Sequence, residues 1–410
     1  MTFALYVAVV AGWLGICLIW AGLLVAQVRA QRLGLFLRPG APPTVEPGPG
    51  TCPTVCVVIP ARNEGQQIAK CLASVLNQDY PALEIVVVDD RSSDDTGAIV
   101  GQFAASNPRL RLIRNDELPQ GWLAKSHALW VATRKVTAQW ILFLDADCEL
   151  TPPAVRVTVD EAVRLGAGLL TLWPRQRSET FFEHLLIPLC AGIIAFWYGS
   201  TQVNQRASVR SFGNGQFLLI RRDAYEHIGG HRAVRRALIE DVPLAETAKQ
   251  AGIACHVACG RDLFSVRMYT SYRAIREGWA RIYAGVLRSG SKIALSLAWL
   301  AFGSLLPFAG AFVLFTSPAT SLVFSGSGPL TLNALRGCWA LHIVLLLVVS
   351  IRFWGFGGCR RSYLALYPLS VLLVMRILCR AWWDLVVRRS ITWSTTIYRI
   401  DGRGAIVGQG

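Results

Sequence analysis

No charged side chain precedes Arg29, and residues 3–28 form one apolar run. A run of that length spans a bilayer, for which about 20 residues suffice. A secretory leader carries positive charge ahead of its apolar stretch and a small-residue cleavage site behind it. Here the charge follows instead, at Arg29, Arg32 and Arg38. The run therefore reads as a retained anchor. The positive-inside rule puts the N-terminus outside and the chain from Arg29 onward in the cytoplasm.

Composition agrees with a chain held at a membrane. Of its 410 residues, 53% are hydrophobic and 16% charged, where an ordinary soluble domain has roughly a quarter charged. The formal net charge is +15. Its arginines sit beside apolar segments, Arg352, Arg360 and Arg361 after a later one as Arg29 and Arg32 after the first. That placement suits an anionic membrane surface; no nucleic-acid-binding motif accompanies it, so nucleic acid is not an expected partner. The 11 cysteines are odd in number and scattered. They match neither a disulfide framework nor a zinc spacing, and read as small buried hydrophobes.

After a proline- and glycine-rich linker at 39–53 the pattern changes. Short apolar runs at 55–60, 84–88, 110–113 and 140–144 read as strands, and Ile68, Cys71, Leu72, Val75 and Leu76 recur at helical spacing. Strand and helix alternating in this way predict an α/β fold: a Rossmann-like, mostly parallel sheet with helices on both faces. Beyond about residue 290 the chain is apolar again. Residues 295–315, and 340–351 with the preceding turn, read as spans. A third stretch, 363–375, is followed closely by Arg376, Arg380, Arg388 and Arg389, which predicts an interfacial or re-entrant segment and a cytoplasmic C-terminus. The expected organisation is an anchor (1–28), a linker (29–53), a catalytic domain (54–290), C-terminal transmembrane or interfacial helices (291–390) and a tail (391–410).

In an open parallel sheet, ligands bind beyond the carboxyl ends of the strands. Here Ala61, Arg62, Asn63 and Glu64 follow the first strand, Asp89 and Asp90 the second, and Asp145 and Asp147 the fourth. Carboxylates gathered at one edge repel each other unless a cation joins them. Mg²⁺ fits, because it takes one or two carboxylates together with substrate phosphates. The bland reading of each piece, a surface turn or a helix cap, fits the set less well. No glycine-rich phosphate loop is present.

Three runs are similar to family 2 glycosyltransferases of GT-A fold: Val57-Val58-Ile59-Pro60-Ala61-Arg62-Asn63-Glu64, Val87-Val88-Asp89-Asp90-Arg91-Ser92-Ser93-Asp94-Asp95-Thr96 and Leu144-Asp145-Ala146-Asp147. Gly121-Trp122-Leu123-Ala124-Lys125 resembles that family's glycine–lysine segment. Ser211-Phe212-Gly213-Asn214-Gly215-Gln216 and Gly229-Gly230-His231, followed by Ile239-Glu240-Asp241, resemble its acceptor-side loop and Glu-Asp motif. The membrane-bound members that glycosylate hopanoids, carotenoid acids or ceramide look closest. The resemblance implies that Ala61, Glu64 and Asp90 contact the nucleoside and that Lys125 reaches the donor. It implies that Asp145 and Asp147 hold the diphosphate and a divalent cation, Mg²⁺ or Mn²⁺, and that Asp241 is the base of an inverting displacement. A Gln/Arg-x-x-Arg-Trp motif often follows in the family. Here the stretch is Arg276-Glu277-Gly278-Trp279-Ala280-Arg281, with no Arg before the Trp, which argues against processive synthesis and leaves Arg281 as a candidate diphosphate contact.

On spacing alone Asp241 stays ambiguous. With Pro243 after it, it sits in the first turn of a helix, as a cap or as the base that an acceptor hydroxyl needs. His231 and His256 read as structural. The expected function is transfer of a sugar from a nucleoside-diphosphate sugar, a UDP-sugar, to a hydroxyl or carboxyl of a lipid or polyisoprenoid acceptor. The site of action is the cytoplasmic face of the cell membrane. The alternatives are a processive polysaccharide synthase and an inactive nucleotide-binding membrane accessory. Residues 181–198 are apolar enough for a span, but a crossing there would part Asp147 from Asp241. They are expected to lie in the headgroup region with Phe196 and Trp197, guiding a lipid toward Asp241.

Overall fold

The computed structural model describes residues 3–33, 35–40, 52–316, 329–393, 396–402 and 404–409. Of the proline- and glycine-rich stretch at 39–53, residues 41–51 lie outside the described residues. The chain divides into two compact units. One is α/β, made of Leu33–Arg177, Tyr198–Tyr269 and Arg389–Gly410; the other is helical, made of Met1–Arg32, Ser178–Trp197 and Thr270–Arg388.

The α/β unit is built on β1 (Val55–Ala61), β2 (Leu83–Asp89), β3 (Leu110–Arg114), β4 (Trp140–Phe143), β5 (Cys148–Leu150), β6 (Leu169–Trp173), β7 (Arg175–Gln176), β8 (Leu218–Arg221), β9 (Cys255–Cys259) and β10 (Phe264–Val266). Seven of these form one sheet in the order β3-β2-β1-β4-β8-β6-β9. It is mostly parallel; β8 alone runs antiparallel, to both β4 and β6. Strands covered on both faces read as continuous apolar runs, and β1 shows why. Val55, Val57 and Ile59 join one core with helices Ile68–Leu76 and Ala154–Arg164. The alternate residues Cys56 and Val58 join a second core with helices Ala124–Thr133 and Asp241–Gln250.

Register aligns the strand ends. Ala61 pairs with Asp89 across β1 and β2, and Val58 with Phe143 across β1 and β4. The loops after β1, β2 and β4 therefore leave the same edge. Because β8 is antiparallel, its first residue, Leu218, pairs with Phe143, which brings the loop before β8 to that edge as well. The last residues, which the sequence reading left as a plain tail, form a three-stranded sheet of β11 (Ser390–Trp393), β12 (Thr396–Ile400) and β13 (Ile406–Gln409). It is tied to the same unit by Ile406 N–H donating to Arg236 O at 2.9 Å.

Among the described residues, five helical segments are long and apolar enough to cross a membrane: Val7–Arg32, Phe181–Val203, Gly290–Ala311, Leu332–Phe356 and Arg361–Arg388. The helix around the expected span at 340–351 runs Pro329–Phe356. The third apolar stretch also continues past the arginines that bounded it in the sequence, because Asp384 accepts from Arg380 at 2.7 Å and lies 3.8 Å from Arg388. Several buried polar groups of the helical unit are paired, which offsets the cost of burying them. A π-helical turn, Trp299–Leu305, presents the Gly303 carbonyl to Trp20 Nε1 at 2.8 Å and to His342 Nε2 at 2.9 Å. Pro188 cannot bond the carbonyl of His184, and Trp354 Nε1 donates to it at 3.2 Å.

Candidate active site

The loop after β1 is stapled to the loop after β2. Asn63 N–H donates to Ser92 Oγ at 3.1 Å, Glu64 N–H to Thr96 Oγ1 at 2.8 Å, and Gly65 N–H to Asp94 Oδ2 at 3.0 Å. Ser93 N–H returns a bond to Asn63 Oδ1 at 2.8 Å. Ala61, at the end of β1, is buried, and its carbonyl accepts from Asp90 N–H at 2.8 Å. Asp90 is 3% exposed. Arg91 grips both of its oxygens at 3.0 Å, and Asn115 Nδ2 donates to Oδ1 at 2.8 Å. Arg91 holds φ at 57° to do this. Neither Arg91 nor Asn115 carried a role in the sequence reading.

Lys125 opens the helix Ala124–Thr133, and its Nζ lies 2.8 Å from Asp145 Oδ1 and 3.0 Å from Glu240 Oε1. One cation thereby joins the strand-end carboxylates to the Glu-Asp pair. Burial works against the Lys125 charge, but Asp145 and Glu240 outweigh it and hold its pKa well above the ordinary lysine value. Burial also opposes ionisation of Glu240, and there Lys125 and His231 prevail, holding its carboxyl below the usual range.

Asp241 sits in the first turn of its helix. Its Oδ2 accepts from Gly215 N–H at 2.7 Å and its Oδ1 from Val242 N–H at 2.6 Å. Burial, then the neighbouring Glu240, push its pKa up to about 7, against Lys125. The loop before β8 reaches this close only because it carries glycines. A Cβ on Gly213 would run into the Asp241 carbonyl, and one on Gly215 would press on Lys125 Nζ at 3.1 Å and Asp241 Oδ2 at 3.3 Å. Pro60, Leu129, Phe143, Leu218 and Leu244 wall a small pocket whose polar members are Lys125, Asp145, Gly215, His231, Glu240 and Asp241. His231, read from sequence as structural, is thus in the pocket; the signal for it was the Gly229-Gly230 pair directly before it.

Asp147 follows two residues after Asp145. Burial, then Asp145 and Glu64, push its pKa up to about 7. Burial, then Asp145 and Asp94, likewise raise Glu64 to about 7. These carboxylates influence one another electrostatically, with Lys125 paired to Asp145, and carboxylate oxygens are donors suited to a hard divalent cation. Among the described residues no three His, Cys, Asp or Glu side chains converge to hold a metal. Arg281 lies on the helix Tyr272–Leu287 and belongs to the helical unit.

The structure thus has a mostly parallel sheet with carboxylates at aligned strand ends, and Lys125 joins Asp145 to the Glu240–Asp241 pair. Residues 56–229 match the family model described as Glycosyl transferase family 2, so this part of the chain has the sequence of a glycosyltransferase domain. The 4,4'-diaponeurosporenoate glycosyltransferase of Staphylococcus aureus (strain MRSA252) is 26% identical over 259 residues, covering 62% of this chain and 67% of that protein. The same figures hold for its namesake from strain NCTC 8325 / PS 47. Among solved structures, the mannosyltransferase PcManGT from Pyrobaculum calidifontis in complex with GDP-Man and Mn2+ superposes with a TM-score of 0.51. Its sequence identity is 19%, with 93% of this chain and 99% of that chain covered. At that identity the likeness speaks for the fold, which is GT-A-like.

Proposed function

We propose that this enzyme transfers a sugar from a nucleoside-diphosphate sugar to the hydroxyl or carboxyl of an apolar, membrane-resident acceptor, with inversion at the anomeric carbon. The observation that carries this reading is Lys125 bridging Asp145 and Glu240, which puts donor-side carboxylates and a candidate base in one pocket. Asp241 takes the proton of the acceptor hydroxyl as its oxygen attacks the anomeric carbon. The bond from that carbon to the diphosphate breaks, and the nucleoside diphosphate leaves. Gly215 N–H and Val242 N–H hold the Asp241 carboxylate still for this step. Asp145 and Asp147 would hold a divalent cation, which when bound neutralises charge on the leaving diphosphate. Ala61, Glu64 and Asp90 line the path expected for the nucleoside. The named substrate of the Staphylococcus relatives, an acid, and the membrane-length helices support an apolar acceptor.

The deciding experiment follows nucleotide release from UDP-glucose and GDP-mannose by the purified protein, with and without a membrane lipid extract. Release is expected to rise with the extract and to stop in excess chelator. Asp147→Asn should remove the metal dependence of nucleotide binding while the thermal midpoint stays near that of the unmodified chain. Full activity in chelator would refute the metal assignment.

The strand order bears on membrane topology. The segment 181–203 lies between β6 and β8, which are hydrogen-bonded neighbours. A single crossing would oblige residues 204–217 to return through hydrocarbon without the helical bonding that lipid requires. That supports a segment that does not cross. Cysteines introduced at Glu179 and Gln205 are expected to react with an impermeant maleimide from the same side; labelling from opposite sides would refute it.

A further inference from the structure

Gly215 N–H reaches Asp241 Oδ2 at 2.7 Å, and the residue before it does the aiming. A peptide group is planar and trans, so this N–H points opposite to the Asn214 carbonyl. That carbonyl accepts from Phe217 N–H at 3.0 Å, which sets the plane. Asn214 is pinned at two further points. Its backbone N–H donates to Thr171 Oγ1 at 3.0 Å, and its side-chain Nδ2 to the Leu172 carbonyl at 2.9 Å. A carbonyl can only accept, so the amide nitrogen is the atom that faces Leu172. Thr171 is fully buried. Its hydroxyl lies 2.8 Å from the Phe217 carbonyl and 3.4 Å from that of Asn214. Whichever carbonyl takes its proton belongs to this loop.

The strands β6 and β8 already pair through their backbones, and Leu172 N–H reaches the Phe217 carbonyl at 3.2 Å. What the Thr171 and Asn214 side chains fix in addition is the turn that leads into β8. We infer that Thr171 and Asn214 are positioning residues: they lock the Asn214–Gly215 peptide so that its N–H is aimed at the carboxylate of Asp241. An N–H donated to a carboxylate favours its charged form. The Gly215 N–H accordingly works against the burial and the Glu240 charge that raise Asp241. With the turn slackened, Asp241 would keep its proton to higher pH and be unable to take one from the acceptor.

This inference rests on the reading of Asp241 as the base, and the test separates the two. The full chain, with metal, membrane lipid extract and saturating UDP-glucose or GDP-mannose, is followed for nucleotide release as a function of pH. Binding of free UDP and GDP and the thermal midpoint are measured beside it. Thr171→Val keeps the volume and removes the hydroxyl. It is expected to move the rising limb, native at about 7, upward by about one pH unit, the worth of one hydrogen bond to a charged group. Roughly a tenth rather than half of Asp241 is then ionised at pH 7, so kcat there falls about fivefold and recovers as pH rises. Thr171→Ser, which restores the hydroxyl, should return the limb to its native place, and Asn214→Ala should move it as Thr171→Val does. Nucleotide affinity is expected to stay near native in all three. A lowered thermal midpoint with the limb unmoved would mean that these bonds only hold the fold, and overturns the inference. So does a loss of nucleotide affinity in step with kcat at every pH. Asp241→Asn is run in parallel. If it is as active as the unmodified chain, the reading of the base has failed and takes this inference with it. If it is slow and lacks the limb while Thr171→Val keeps the limb in place, only this inference has failed. Should Thr171→Val not fold, Asn214→Ala decides: a raised limb upholds the inference and an unmoved one overturns it.

Discussion

Asp241→Asn is expected to slow transfer to a hydroxyl acceptor by about 10²–10⁴-fold, the usual worth of a general base, while nucleotide affinity stays close to native. The asparagine keeps an oxygen for Gly215 N–H, which now bonds Oδ2 at 2.7 Å, so the loop before β8 need not move. What is lost is the capacity to accept a proton. With metal and donor saturating, the unmodified enzyme should gain activity as pH rises through about 7, the value to which burial and Glu240 raise this carboxyl, and the variant should lack that limb. The size of the effect also reports on the acceptor. A carboxylic acid is ionised at neutral pH and needs no base, so a carboxyl acceptor predicts a far smaller loss than a hydroxyl. If donor affinity and turnover fell together, Asp241 would be a helix cap and no base.

Lys125→Met carries the largest expected effect on stability. Glu240 is 5% exposed at its side chain, and Lys125 and Asp145 are each 27% exposed. Removing one partner from a buried pair costs about 3–5 kcal/mol; with the lysine partly in solvent, about 2 kcal/mol is expected here. Lys125→Met/Glu240→Gln should recover much of the loss, since the uncompensated buried carboxylate goes with it. The sign of the pH dependence follows. A carboxyl held below its unfolded value contributes stability above that value and loses it as pH falls through the folded one. The gap between native and Lys125→Met should therefore be full at neutral pH and narrow in acid. Urea titrations at two pH values read it. Equal stability of the two proteins at neutral pH would mean that the bridge contributes nothing.

Some of this was legible in the residues. The apolar runs at 55–60 and 84–88 read as strands because a parallel strand is buried on both faces. The carboxylates after three strands read as one edge because parallel strands end together. The helical ends were harder. The helix around 340–351 runs Pro329–Phe356, longer than its most apolar stretch, and the last helical segment continues past Arg376 with Arg380 paired to Asp384, a pairing the sequence does not show.

The sequence by itself determined the alternation of strand and helix, the apolar ends and the identity of every acidic group at the strand ends. These follow from local periodicity and from side-chain chemistry, which a chain carries wherever it folds. Tertiary structure alone decided which of those groups meet. β8 enters the sheet antiparallel between β4 and β6, and that single reversal carries Gly213 and Gly215 to the end of β4. Lys125 can join Asp145 to Glu240 only because helices distant in sequence pack on the same face of the sheet. His231 shows the difference most plainly. As a letter after two glycines it is an ordinary loop residue; packed against Tyr225 and Phe143, it lines the pocket.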